Sequence, residues 1–277
     1  MFLTVTSPKK GLGQTITSIN LAADYANVRD KAVNIIDMNR YCRDIEYFLS
    51  DTNVTKGLDD FLSLRYTGSL DTASFHNCIK KVNRNVHIMA SNNYLDLSER
   101  DLELLLEYTE ALFDLTIVDS IGGKHPTTSR LFEKSDWILV LLNQSKRVVD
   151  MIGENENYYE YKDKVVFILN KRIEEHKGRR VGYGLREIEA DLKKQGFGES
   201  RLFPLDYDVE VLNECNDKSV LNFIFSRNPV HRPYQRQMKA IWNYLLLGDT
   251  KEIQMKFSTA AKMKHFSLYR LFGSSQS

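Results

Sequence analysis

Residues 7–15 read Ser-Pro-Lys-Lys-Gly-Leu-Gly-Gln-Thr and follow a short apolar run, Phe2-Leu3-Thr4-Val5-Thr6. These are the residue types an anion cradle uses. Glycine lets backbone N–H groups turn toward a ligand, lysine neutralises phosphate charge, and a terminal hydroxyl holds Mg²⁺. In the pattern G-x-x-x-x-G-K-[ST], Gly13-Gln14-Thr15 stands where Gly-Lys-Thr is required. Gly11 and Gly13 allow close backbone approach, but position 14 offers an amide with no charge. Read in isolation, the same stretch also suits an ordinary tight turn between a strand and a helix.

Such a loop needs a strand before it and a helix after it, so that the helix N-terminus faces the anion. Apolar runs predict strands at 2–6, 32–37, 86–90, 115–119, 137–142 and 165–170, and another at 200–204. Helical periodicity predicts helices at 15–27, 57–64, 98–111, 128–134, 148–156, 185–195, 207–213 and 234–247, with Ser98 and Asp101 forming an N-cap. Strands alternating with helices imply a doubly wound α/β fold with a mainly parallel sheet. A break at Gly248-Asp249 divides a main domain, 1–248, from a C-terminal segment, 249–277.

The 277 residues are 42% hydrophobic, enough for a sizeable core. With a net charge of +1, attraction to nucleic acid or membrane has to come from a local patch. Cys42, Cys78 and Cys215 have no metal-site spacing, which favours a reducing cytoplasm. The opening strand pattern is unlike a signal peptide, and the longest apolar run, Trp137 to Leu142, is far short of a membrane span.

Residues 7–23 resemble the deviant phosphate loop of the ParA/MinD family, Lys-Gly-Gly-x-Gly-Lys-Thr followed by Thr and Asn-Leu-Ala. Lys9 falls on the family's signature lysine, which reaches the partner's phosphates in a nucleotide-sandwich dimer. Lys10 replaces a glycine and Gln14 replaces the usual lysine. The resemblance extends over roughly residues 1–247. Val33 to Asn39 is similar to the second-strand motif, in which Asp37 is kept and Asn39 stands where an aspartate orients the attacking water. Phe113 to Asp119 resembles Walker B, Val166 to Arg172 the strand whose terminal asparagine meets adenine, and Phe203-Pro204-Leu205-Asp206 the turn that closes over the base.

The resemblance implies a P-loop fold binding ATP or ADP with Mg²⁺. Lys9, Lys10, Gly11, Leu12, Gly13, Gln14, Thr15 and Ile16 would surround the phosphates, and Asn170, Arg172, Pro204 and Asp206 the base. Thr15 and Asp119 would hold Mg²⁺, while Lys9, Asp37 and an impaired Asn39 would form the catalytic set. Loss of charge at 14 and of a carboxylate at 39 argues against hydrolysis. The implied function is localisation or assembly by ATP-linked homodimerisation with a weak or absent ATPase, as in the pilus-associated TadZ/CpaE group. Two alternatives stay open: an active ATPase for partition or division-site placement, and a scaffold that binds no nucleotide.

Residues 251–273 carry five cations against one acid, interleaved with apolar residues. Phe266, Leu268, Arg270, Leu271 and Phe272 look like the membrane-targeting helix of MinD-like proteins, which would place the protein at the inner face of the plasma membrane. A final helix packed on its own domain or on a partner is the other reading. Basic patches at 80–84 and 177–180 allow nonspecific DNA contact but read more simply as solvated loops, as does His125.

Overall fold

The computed structural model describes residues 1–38, 44–49, 56–91, 97–120, 122, 126–176, 178–226 and 228–247. Asn39, Cys42, His125 and the whole of 248–277, including Phe266 to Phe272, lie outside the described residues.

The strands are β1 (Phe2–Thr6), β2 (Val33–Asp37), β3 (Lys80–Lys81), β4 (Val86–Met89), β5 (Leu115–Asp119), β6 (Trp137–Leu142), β7 (Val165–Arg172), β8 (Glu175–His176), β9 (Arg179–Arg180) and β10 (Arg201–Asp206). Eight of them form one sheet in the order β10-β7-β6-β1-β5-β2-β4-β3, and β8 pairs with β9 in a hairpin. The pairings of the large sheet are parallel except for β3 with β4. Its inner strands are near-continuous apolar runs because helices cover both faces; β2 and β5 are buried along their whole length.

The helices are α1 (Gln14–Arg29), α2 (Asp44–Phe48), α3 (Leu58–Tyr66), α4 (Thr72–Asn77), α5 (Glu99–Leu112), α6 (Pro126–Lys134), α7 (Lys146–Gly153), α8 (Glu156–Glu160), α9 (Leu185–Lys194), α10 (Val209–Asn216), α11 (Val220–Phe225) and α12 (Arg232–Leu247). On α1, Ile19, Leu21, Ala22, Ala23 and Ala26 are buried, and the helix packs against β2, β5 and α11. It ends at Asp30, whose left-handed φ of 51° stops the helical path. At the start of α5, Ser98 Oγ accepts from Asp101 N while Asp101 Oδ2 accepts from Ser98 N, so the expected cap is present. One core cluster gathers Ile36, Phe61, Phe75, Met89, Leu105 and Val118, with the Phe61 and Phe75 rings edge to face at 5.8 Å.

The expected strands form close to their expected bounds; β7 runs two residues beyond Asn170, and β10 two beyond Pro204. The short pieces β3, β8, β9, α2, α4, α8 and α11 were not anticipated. The chain divides into two compact units, 1–238 and 239–277, and every strand among the described residues belongs to the first.

From β1 the chain runs through α1 to β2 on one side, and from β5 it crosses to β6 on the other. That divergence opens a crevice at the carboxyl ends of β1 and β5, the usual ligand position in a doubly wound sheet.

Candidate functional site at the first strand–helix turn

The loop between β1 and α1 occupies this crevice. Gly11 and Gly13 have left-handed φ values of 83° and 86°. At Gly13 a side chain is excluded by space as well as torsion, since a Cβ there would lie 2.2 Å from Asn170 Nδ2. Gly13 is the N-cap of α1 and no side chain caps that end. The first-turn N–H groups, including those of Thr15 and Ile16, therefore lack a capping acceptor at the positive end of the helix dipole.

Gln14 and Thr15 both turn toward β5. Gln14 Nε2 donates to Asp119 Oδ1 at 2.5 Å and to the Ser120 carbonyl at 2.6 Å, and Gln14 Oε1 accepts from Ser7 Oγ at 3.0 Å. Thr15 Oγ1 donates to Asp119 Oδ2 at 2.6 Å. Each oxygen of the Asp119 carboxylate thus has a donor from the first turn of α1. Burial pushes the Asp119 pKa up to about 6; the Thr15 and Gln14 hydrogen bonds pull it down, and the charge of Asp44 adds to the rise.

Asp37 is Asp119's register partner at the carboxyl end of β2. It is buried, and its Oδ2 accepts from Ile45 N at 3.4 Å. Ser7 Oγ also donates to Lys9 O at 2.8 Å, which folds the start of the loop back on itself. A Cβ at Gly122 would lie 2.6 Å from Ser7 O, so the segment following β5 leans on the loop through bare backbone.

The residues expected around the base fall into two groups. Asn170 is buried and its Nδ2 donates to Leu12 O at 2.7 Å, so it props the phosphate loop. Arg172 Nε donates to Asp206 Oδ1 at 2.5 Å and its Nη1 to Glu174 Oε1 at 2.7 Å. Asp206 is held further by Gln237, whose Oε1 accepts from Asp206 N and whose Nε2 donates to Asp206 Oδ2. Pro204 pairs with Leu169, and the register shifts between Pro204 and Asp206.

Lys9 and Lys10 are exposed on the loop. The basic residues at 80–84 are partly paired: Lys80 Nζ lies 3.4 Å from Glu46 Oε1, and Arg84 Nη2 3.5 Å from Asp30 Oδ2. The sequence reading gave no role to Ser7, Ser120 and Gly122. Ser7 and Ser120 flank motif residues and Gly122 lies three residues past Asp119, so proximity to the motifs was the available signal.

The donor set suits a magnesium nucleotide. Thr15 and Asp119 bring a hydroxyl and a carboxylate together, the hard oxygen donors Mg²⁺ takes. The uncapped helix end and the two left-handed glycines suit phosphate oxygens. Gln14 departs from that set in charge.

No protein-family profile and no curated protein matches the sequence. Comparison with solved structures shows that the chain has the ParA/MinD-type P-loop fold. A ParA family ATPase from Chlorobium tepidum superposes with a TM-score of 0.69 at 13% identity, over 86% of this chain and 98% of that one. MinD from Pyrococcus horikoshii, solved with Mg-ADP, gives 0.67 at 14% identity, over 90% and 98%. The MinC:MinD complex of Aquifex aeolicus gives 0.67 at 17% identity, over 87% and 96%.

Proposed function

We propose that this chain is a nucleotide-binding positioning or assembly protein that works by ATP-linked dimerisation and hydrolyses nucleotide weakly or not at all. The observation that carries the reading is the state of the loop at Gln14. The glycine geometry is intact and Thr15 meets Asp119, while the side chain at position 14 is a neutral amide tied to Asp119 and Ser120. Binding by backbone N–H groups survives such a change; neutralisation of charge developing during phosphoryl transfer does not.

In this reading Lys10 to Ile16 surround the phosphates, Asn170, Arg172, Pro204 and Asp206 border the base, and Thr15 and Asp119 hold Mg²⁺. Bound Mg²⁺ would neutralise phosphate charge. Lys9, exposed on the loop, reaches a second copy across a sandwich. The Mg-ADP of the Pyrococcus protein and the protein partner of Aquifex MinD make nucleotide, metal and partner binding reasonable for this fold. Positioning of pilus or secretion machinery at the inner face of the plasma membrane, through residues 266–272, is the finer form of the proposal. Among the described residues no helix is long and apolar enough to cross a membrane.

Calorimetry with Mg-ATP, paired with light scattering, tests this. Heat at sub-millimolar nucleotide and a doubling of mass are expected. No heat at millimolar nucleotide overturns the binding claim.

One observation favours a second reading, a scaffold without nucleotide: Gln14 already satisfies Asp119, so the crevice has internal partners. That reading expects no heat and no change of mass.

A further inference from the structure

If phosphates bind here, position 14 leaves them short of positive charge, and among the described residues Lys171 is placed to supply it. Asn170 ends the buried part of β7 and is anchored to Leu12 O. The next residue, Lys171, has a left-handed φ of 55°, a conformation L side chains rarely adopt. The turn brings its aliphatic stem back over the loop. Lys171 Cε lies 3.6 Å from where a Cβ on Gly13 would stand.

Lys171 is exposed, so its ammonium is open to a ligand from solvent. Among the described residues it has no hydrogen bond and no ion pair. It lies beside the N-terminus of α1, where a helix dipole disfavours a cation. It is also within electrostatic reach of Cys215 on α10, a thiol that burial pushes up and Lys171 draws back down. An anion between this cation and the uncapped N–H groups of α1 would meet favourable charge on both sides. Of the neighbouring cations, Arg172 is bound to Asp206 and Glu174, while Lys9 is exposed as Lys171 is; it is Lys171 whose stem lies against Gly13.

We propose that Lys171 is a phosphate-contacting residue, delivering from the end of β7 the positive charge that Gln14 cannot deliver from the loop. The inference rests on the nucleotide-binding reading above and adds a residue that strengthens such binding where position 14 carries no charge.

Titration of the full chain with a fluorescent ATP analogue and Mg²⁺ tests it. Lys171→Gly removes the ammonium and suits a positive φ, so the fold should persist by circular dichroism. Its affinity is expected to fall about ten-fold or more, the scale of a lost charge-assisted contact. Lys171→Asn, also tolerant of this φ, should match it, and Lys171→Arg should retain most binding. The double variant Gln14→Lys/Lys171→Gly should recover at least wild-type affinity. Binding by both Lys171→Gly and Lys171→Asn within two-fold of wild type overturns the role of Lys171 and leaves the nucleotide reading standing. Absence of binding by the wild-type chain overturns the nucleotide reading, and this inference with it.

Discussion

Gln14 and Asp119 are joined across the crevice by a 2.5 Å hydrogen bond from amide to carboxylate, so the residue in the lysine's place holds one oxygen of the metal-binding candidate. A lysine at 14 would have to release Asp119 and the Ser120 carbonyl in order to face phosphate. Gln14→Lys is expected to raise affinity for Mg-ATP about ten-fold, the worth of replacing a neutral donor by a charged one. Calorimetry on the two proteins measures it. Phosphate release should rise appreciably only when Asn39→Asp is added.

The two loop glycines make a paired prediction. Gly13→Ala meets both a left-handed φ and Asn170 Nδ2 at 2.2 Å, whereas Gly11→Ala meets the torsion alone, with nothing within 4 Å. Gly11→Ala is expected to cost about 1–2 kcal/mol of stability. Gly13→Ala should cost about 2–4 kcal/mol, because the Asn170 bond to Leu12 must break as well. Urea denaturation of both variants gives the difference.

Asp119 makes stability depend on pH in the direction opposite to most carboxylates. Its folded pKa, about 6, lies above its ordinary value of 3.8. The stability associated with the protonated form is fully present below about pH 4 and is lost as pH rises through 6. In metal-free buffer, Asp119→Asn should therefore be more stable than wild type at pH 7, by up to about 3 kcal/mol. The advantage should shrink toward pH 4. Thermal melts across pH 4–7.5 check the sign.

Removal of residues 249–277 tests the membrane proposal. The eight-stranded sheet lies wholly in the unit that ends at Met238, so the truncated chain is expected to keep its far-ultraviolet spectrum. It should lose co-sedimentation with vesicles containing anionic lipid, since the basic amphipathic stretch is gone. Equal sedimentation of both chains contradicts a membrane role for Phe266, Leu268, Arg270, Leu271 and Phe272.

The sheet was readable because its strands are buried on both faces, and burial writes itself as unbroken apolar runs such as Trp137 to Leu142. The phosphate loop was readable because its torsions demand glycine. Other pieces leave fainter marks. The two charged residues Lys80–Lys81 pair with Ile88 and His87 at the sheet edge, and α4, from Thr72, has one buried side chain, Phe75. Neither has the length for periodicity to show. The contacts of Gln14 are set by how far Asp119 sits from α1, a distance that belongs to the packed sheet. Lys171 was hidden for a different reason: its placement follows from one backbone torsion, and nothing in a lysine's neighbours announces a positive φ.

Asn170 and Gly122 brace the same loop from opposite flanks, one by a side-chain amide on Leu12 and the other by bare backbone against Ser7. The loop is a keystone: widening it must displace the end of β7 or the chain leaving β5. A ligand's arrival would in this way be reported to both halves of the sheet at once, with no hinge required.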